Sequence, residues 1–367
     1  MSNATKRNLR SSTKQRPLPV PSTTSYSLNI SPAPTPPAPK DVITIIPRGS
    51  KLPKLSPVEL NLLHKKQIRL SQDAPNTRAS VSGGHLRSAL TASLIFAQHE
   101  AGSAVCIDPD GWVITCAHCF GETEEEYITS TKTRWLLFYD GRAVQVECHV
   151  WDAKRDLALL KIIAIESDGT GATSDHSNGA PFPFVPLCPR MPELNTPIIC
   201  IGQPGREDLE STTDRKTDYD LVEVSQGAYR GMIPGTDPCD NSEIGTLKHD
   251  AWTYWGHSGA PLLQALDGSL VGLHSSWDDR AGMRHGVPLV AIEMFLREHG
   301  EVIGCQFVRQ REFTVLVGLE EEGRERGWVQ SLVARPSKVI QTPDEKGSVD
   351  VIVISSDSSD DGDGEIR

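Results

Sequence analysis

Three short segments of this chain carry the residue types of nucleophilic hydrolysis. The first ends near His118, the second begins with Asp156, and the third holds Ser258 between His257 and Gly259. A serine hydroxyl is a weak nucleophile at neutral pH and needs an adjacent base, which a third group orients. The order His, Asp, Ser along the chain is one of the known orders of such triads. The sequence therefore predicts acyl transfer to Ser258, with His118 as general base and Asp156 as its orienting acid.

The loop around Ser258 is rich in glycine. Gly256 and Gly259 let a loop turn tightly and let a substrate approach the backbone. We expect the amides of Gly256 and Ser258 to form an oxyanion hole, worth about 3 kcal/mol per donor. Each residue by itself has a simpler interpretation, because glycine-framed serines are usually turns and histidines after apolar strands usually belong to the core. Only the ordered combination of the three segments favours catalysis.

Cys116 and Cys119 flank His118, and together these residues resemble one of the two ligand pairs of a zinc site. No second pair with matching spacing follows, so we expect neither a metal nor a cofactor. The chain has eight cysteines but lacks the apolar stretch of a secretory signal near its start, so we expect reduced thiols. No run of about 18 apolar residues is present, so no membrane span is expected.

The segment from 86 to 300 has the pattern of short strands separated by turns. Asp140-Gly141 lies between two β-prone runs and predicts a hairpin. A long series of such strands favours an all-β class with two antiparallel barrels, and the run from Ala291 to Glu298 predicts a closing helix. An earlier helix is predicted from about Pro57 to Leu70, capped by Ser56. This helix either packs on the barrels or binds a partner.

Two segments resemble the trypsin-like serine peptidases, and more closely their Deg/HtrA-like branch: 102–118, which leads to His118, and 249–262 around Ser258. The resemblance implies two six-stranded-type β-barrels over residues 86–300, and a serine endopeptidase acting on proteins or peptides. It also places Trp252 and Ser275 at the substrate pocket. Because Trp252 stands where a basic-specific member has aspartate, we expect a small or apolar residue at P1. We expect no counterpart of the PDZ domain that is usual in that branch.

The flanking segments differ in composition from the middle. Residues 1–54 read as a disordered, proline-rich basic arm, and residues 55–85 as a short helix and linker. Residues 301–340 form an extension of uncertain structure, and residues 341–367 a disordered acidic tail, in a chain whose net charge is −11. The basic residues within positions 1–16 could contact nucleic acid. They also fit a transit peptide, which leaves a mitochondrial location as the alternative to nucleus or cytoplasm.

The acidic tail contains a β-prone run followed by serines and aspartates. It resembles a SUMO-interacting motif, in which a strand adds to an exposed sheet edge and acids meet a basic rim. The four residues concerned are Val351, Ile352, Val353 and Ile354. This predicts SUMO or SUMO-modified proteins as partners and a nuclear or cytoplasmic protein. The alternatives are an incidental apolar run in the tail and, for the chain as a whole, a peptidase fold used as a binding scaffold with little turnover, or a nucleic-acid-associated protein.

Overall fold

The computed structural model describes residues 43–98, 101–167, 182–206, 216–278 and 282–300. Most of the proline-rich arm, the 301–340 extension and the acidic tail with Val351–Ile354 lie outside these ranges. Residues 43–54 of the predicted arm are described, and Thr44–Ile46 forms strand β1, which pairs in parallel with a later strand at Ala164–Glu166. Ordered structure therefore begins before residue 55, because these residues extend a sheet edge that the sequence pattern could not reveal.

The first barrel consists of six antiparallel strands. They are β2 (Ser93–Phe96), β3 (Ser103–Cys106), β4 (Trp112–Thr115), β5 (Thr133–Phe138), β6 (Ala143–Asp152) and β7 (Leu157–Glu166). The strand order is β7-β4-β3-β2-β5-β6, and the pairing of β6 with β7 closes the barrel. The predicted hairpin at Asp140-Gly141 joins β5 to β6, and Gly141 has a φ of 88°.

The second barrel is also closed and has six antiparallel strands. They are β8 (Pro197–Gly202), β9 (Glu223–Met232), β10 (Leu247–His249), β11 (Pro261–Gln264), β12 (Leu270–Asp278) and β13 (Met283–Pro288). Their order is β10-β13-β12-β11-β8-β9. The prediction of two antiparallel six-stranded barrels with a C-terminal helix is confirmed, and that helix, α4, spans Leu289–Glu298.

Three further helices are described: α1 (Pro57–Ser80), α2 (Gly84–Ala92) and α3 (Glu124–Thr129). The predicted capping box begins α1, since Ser56 N donates to Glu59 Oε2 at 2.8 Å and Glu59 N donates to Ser56 Oγ at 3.3 Å. None of the helices in the described ranges is long and apolar enough to cross a membrane.

Helix α1 continues ten residues beyond the predicted end at Leu70 and includes Pro75. The apolar stripe that indicated the helix stops near Leu70, so the pattern gave no sign of the extension. Contacts with the β5–β6 hairpin hold it instead: Ser71 Oγ donates to Asp140 O at 3.2 Å, and Arg78 Nη1 donates to Tyr139 Oη at 3.3 Å.

Helix α1 contributes Leu63 and Leu70 to the hydrophobic core shared with the strands. Between these leucines, the Lys66 side chain is buried and its Nζ donates to Phe96 O at 2.6 Å and to Gln203 Oε1 at 3.4 Å. Phe96 ends β2 of the first barrel, and Gln203 follows β8 of the second. The helix is therefore bonded to both barrels.

We predict that Leu63→Ala lowers the free energy of unfolding by about 2–5 kcal/mol, because Leu63 is 0% exposed and its truncation leaves a cavity. The matched control on the same helix is Ile68→Ala, since Ile68 is 60% exposed and its truncation should change stability by less than about 0.5 kcal/mol. Urea unfolding followed by tryptophan fluorescence measures both. Equal, small effects of the two substitutions would mean that α1 does not belong to the cooperative core.

Candidate active site

Asp156 lies directly before β7, with 5% of its surface exposed. Its carboxylate accepts three hydrogen bonds: from His118 N at 3.1 Å, from His118 Nδ1 at 2.9 Å and from Ser275 Oγ at 2.7 Å. The backbone of Asp156 has a φ of 53°, a left-handed conformation that is uncommon for residues other than glycine. Such conformations cluster at functional sites, where the surrounding structure holds them in place.

His118 lies in a one-turn 3₁₀ helix (Ala117–Cys119) that follows β4. Trp151 fixes this turn, because its Nε1 donates to Ala117 O at 2.9 Å. The imidazole is one-third exposed and lines a cleft of about 810 Å³. Since Nδ1 is bound to Asp156, any proton exchange with a substrate has to use Nε2.

Ser258 lines the same cleft as His118. Its carbonyl accepts from Ser103 N of β3 at 2.9 Å, so the first barrel holds the loop that carries it. No hydrogen bond joins Ser258 Oγ to His118, both of which lie in the described ranges; catalytic pairs are often this loose without substrate. The structure therefore brings His118 and Ser258 to one cleft, and the buried Asp156 is already bonded to His118.

The glycines on both sides of Ser258 are required by space as well as by conformation. Gly256 has a φ of 100°, and a Cβ there would lie 2.2 Å from Ala101 Cβ. Gly259 has a φ of 80°, and its Cβ would lie 2.2 Å from Ser103 O. No side chain can be added at either position without moving the backbone.

The amides of the nucleophile loop divide into two groups. Those of His257, Gly259 and Ala260 donate to carbonyls at 2.8–3.1 Å. Those of Gly256 and Ser258 donate to no atom in the part of the chain that the structure describes. The two unused donors are the pair that the sequence predicts for the oxyanion hole.

The two predicted pocket residues occupy different places. Trp252 lines the cleft, half-buried, with its ring 4.8 Å from that of Tyr219 and 5.5 Å from that of His257. Ser275 also lines the cleft, but its hydroxyl is bound to Asp156. Its polar group therefore orients the acid and does not face a substrate. This role depends on β12 passing the start of β7, a tertiary contact with no sequence signal.

Sequence analysis missed several residues of the cleft wall. Aromatic and basic side chains line it beside Trp252, namely Tyr219, Tyr254, Trp277, His274 and Arg284. They come from β12, β13 and the loops around β9 and β10. The sequence offers no signal for Trp277 or Arg284, because neither lies in an alternating apolar pattern.

Three buried histidines pack beneath the nucleophile loop. His249 Nε2 and His274 Nδ1 are 3.1 Å apart, and the His257 ring lies 6.3 Å from that of His274. Burial, with a smaller contribution from the nearby Arg284, lowers the pKa of His249 to about 3 and that of His257 to about 4. The pKa of His274 is also well below its usual value, first because of burial. All three are neutral at pH 7.

Cys116, His118 and Asp156 are the group whose ligand atoms could hold a metal ion, since these atoms lie within 4.8 Å of one another. The Cys116 thiol is buried and donates to His274 O at 3.4 Å. Burial raises its pKa well above the usual value, which disfavours the thiolate that a metal needs. His118 and Asp156 already bind each other, so the geometry suits proton transfer better than metal coordination.

The cysteines of the described ranges are all free thiols. They are Cys106, Cys116, Cys119, Cys148, Cys188, Cys200 and Cys239. Reduced thiols stay a prediction for the protein in its compartment, and Cys305 lies outside the described residues.

Residues 102–273 match the family model of the trypsin-like peptidase domain. The match covers just under half of the chain and includes His118, Asp156 and Ser258. The crystal structure of the serine endoprotease from Yersinia pestis is similar over 62% of this chain and 68% of that one, at 20% identity and a TM-score of 0.39. No curated protein matches the chain. The trypsin-like fold supports a proteolytic function.

We predict that the buried histidines make the protein less stable at pH 5 than at pH 7.5. The unfolded chain binds a proton at His249 near pH 6.5, whereas the folded protein, with a pKa of about 3, does not. Stability therefore falls as pH drops below about 6.5, by about 2 kcal/mol at pH 5 for this histidine. His249→Gln should remove that part of the pH dependence, measured as the difference in urea-unfolding free energy between the two pH values.

The control is His85→Gln, because His85 is exposed on α2. In this variant, the free energy of unfolding should change between pH 5 and pH 7.5 by as much as it does in the natural sequence. If His249→Gln shows the same change in the free energy of unfolding as the natural sequence, then His249 is protonated at pH 5 in the folded protein as well as in the unfolded chain.

Proposed function

We propose that this protein is a serine endopeptidase that uses His118, Asp156 and Ser258 as its catalytic triad. The observation that carries the proposal is the hydrogen bond of 2.9 Å between Asp156 Oδ1 and His118 Nδ1, made in the cleft that Ser258 also lines. The unused amides of Gly256 and Ser258 support it, because they supply the donors that a tetrahedral intermediate needs.

The residues suggest the following steps. Ser258 Oγ attacks the peptide carbonyl while His118 Nε2 takes its proton, and Asp156 stabilises the resulting imidazolium. The amides of Gly256 and Ser258 bind the oxyanion. His118 then gives the proton to the leaving amine, which leaves an acyl-enzyme on Ser258. Water, deprotonated by His118, hydrolyses this ester and restores the serine.

Ser275 acts in this scheme as a positioning residue, since it donates to Asp156 at 2.7 Å and does not contact the reacting atoms. Trp252 forms one wall of the substrate cleft. The finer resemblance to the Deg/HtrA-like branch stays a prediction.

A peptidase fold without turnover is the alternative. It is less favoured because space and conformation restrict both Gly256 and Gly259 to glycine, which a mere binding scaffold would not require at a serine loop. Binding of nucleic acid through residues 1–16 is a further alternative, on a segment outside the described residues.

We further propose that Val351, Ile352, Val353 and Ile354 bind SUMO and so recruit SUMO-modified substrates. The support is the sequence pattern alone: four β-prone residues next to acids and serines. Tethering to a modified substrate would raise the local substrate concentration at the cleft. This role implies a nuclear or cytoplasmic location, with the mitochondrion as the alternative.

The catalytic assignment is tested with a fluorophosphonate probe and a fluorogenic peptide library. Ser258→Ala should lose labelling and cleavage completely, because no other group supplies the nucleophile, while circular dichroism stays unchanged. Ser275→Ala should still be labelled by the probe and should still cleave peptides. Its kcat should be about 10-fold to 100-fold lower, the effect expected from losing a hydrogen bond to a charged group.

Ser88→Ala, on the exposed face of α2, is the matched control and should behave like the natural sequence. Labelling that persists in Ser258→Ala would refute the nucleophile. A natural sequence that neither labels nor cleaves any peptide would favour the scaffold alternative.

The SUMO proposal is tested on the full chain. Replacing Val351, Ile352, Val353 and Ile354 with alanine should abolish the binding of SUMO, measured by calorimetry with an expected micromolar Kd for a small strand-addition interface. Hydrolysis of a small peptide should not change. If the replacements instead lower the melting temperature of the peptidase domain, the segment is part of the core and the proposal fails.

A further inference from the structure

Arg284 places a cationic group in the cleft that holds Ser258 and His118. The residue lies in β13, where it pairs with Trp277 of β12 and with His249 of β10. The same cleft is lined by Thr253 and Ser276, from the segment before the nucleophile and from β12. The side chain is therefore part of the wall of the second barrel next to the serine.

The guanidinium of Arg284 is not neutralised within the described part of the chain. Its Nε is buried and has no hydrogen-bond partner, and no carboxylate of the described residues lies within ion-pair distance of it. Two other arginines have carboxylate partners: Arg155 lies 2.6 Å from Asp152, and Arg230 Nε donates to Asp250 at 2.7 Å. A buried Nε without an acceptor costs free energy, so a substrate carboxylate that accepts from the Arg284 side chain would offset that cost.

The groups around Arg284 do not supply the missing negative charge. The buried histidines His249, His257 and His274 are electrostatic neighbours of Arg284, and they are neutral at pH 7. The positive charge of Arg284 is one of the causes that lower the pKa of each of them, so its field reaches the space below the nucleophile loop. The acidic residue of the cleft lining is Glu122, which follows His118 on the opposite, first-barrel side.

The position of Arg284 relative to Ser258 determines which substrate group it would meet. The cleft walls next to Ser258 are the segment Trp252–His257 and the residues Ser275–Trp277 of β12. P1 is the residue that carries the attacked carbonyl, so its side chain is the part of a bound peptide nearest to these walls. Arg284 lies on β13, directly beside β12, in the second of these walls. Trp252 and Tyr254, both half-buried, line the same cleft, and their apolar rings lower the local dielectric constant, which strengthens an ion pair.

We propose that Arg284 selects substrates with an acidic residue, aspartate or glutamate, at P1. This inference rests on the proposed peptidase function. The guanidinium offers a planar fork that binds a carboxylate through two parallel hydrogen bonds. The hydroxyls of Thr253 and Ser276 lie in the same lining as further donors. This proposal differs from the expectation of a small or apolar P1 residue, which was based on Trp252 alone, because it takes account of a cationic group on a strand that follows the nucleophile.

The test compares peptides that differ only at P1: glutamate, aspartate, glutamine, leucine and lysine. Glutamine has the shape of glutamate without its charge, so the ratio of kcat/KM for glutamate over glutamine reports the ion pair. We expect a ratio of about 10 to 100 for the natural sequence, the effect of a charged hydrogen bond. Arg284→Met should bring the ratio close to one by slowing glutamate and not glutamine, and Arg284→Lys should retain part of it.

Arg190→Met is the matched control, since Arg190 is exposed, does not line the cleft and carries the same charge. It should keep the ratio of the natural sequence. Fluorophosphonate labelling of Ser258 in every variant shows that the catalytic machinery is intact. A preference for leucine or lysine at P1, or an unchanged ratio in Arg284→Met with full labelling, overturns the proposal while the peptidase function stands.

A second measurement separates recognition from turnover. In the Ser258→Ala background, calorimetry should show the glutamate peptide binding about 10-fold or more tightly than the glutamine peptide, and Arg284→Met should abolish the difference. This result would support carboxylate recognition even if the natural sequence hydrolyses nothing, in which case only the proposed catalytic function fails. Equal binding of the two peptides in the Ser258→Ala chain would overturn the role of Arg284.

Discussion

The carboxylate of Asp156 is the point on which the arrangement of the two barrels at the cleft depends. It accepts two bonds from His118, on the turn after β4, and one from Ser275, on β12 of the second barrel. A buried carboxylate needs such donors, because an uncompensated charge there costs several kcal/mol. The backbone amide of His118 therefore fixes the turn, and Ser275 fixes the second barrel against the first. The position of the imidazole follows from both.

The same interface holds the nucleophile loop. Ser103 N of β3 donates to Ser258 O at 2.9 Å, and Gly259 N donates to His274 O at 2.9 Å. Each barrel thus contributes one backbone hydrogen bond to the peptide group that joins Ser258 to Gly259. Donors that are held in place in this way lose little free energy when charge develops on the substrate.

Helix α1, in the N-terminal segment, also forms hydrogen bonds to both barrels and to the cleft. Lys66 bonds to both barrels, and Arg69 Nη2 donates to Tyr219 O at 3.0 Å. Tyr219 in turn packs against Trp252 and Tyr254 at the cleft. Residues of α1, which are far from the triad in sequence, therefore support the aromatic side chains of the cleft. The same helix contacts both barrels, so it contributes to their stability as well as to the shape of the substrate site.

The sequence by itself determined the chemical groups, the β-rich segment and the hairpin at Asp140-Gly141, because these depend on local patterns: glycine framing, short β-prone runs and turn chemistry. It also determined where α1 begins, since the capping box of Ser56 is local. The tertiary structure alone decided where α1 ends, what Ser275 binds and that Arg284 reaches the cleft. Each of these depends on which strand passes beside which, and β12, β13 and the β5–β6 hairpin meet their partners across long stretches of chain. A period of two along a strand shows which side chains share a face, but not which neighbouring element that face meets.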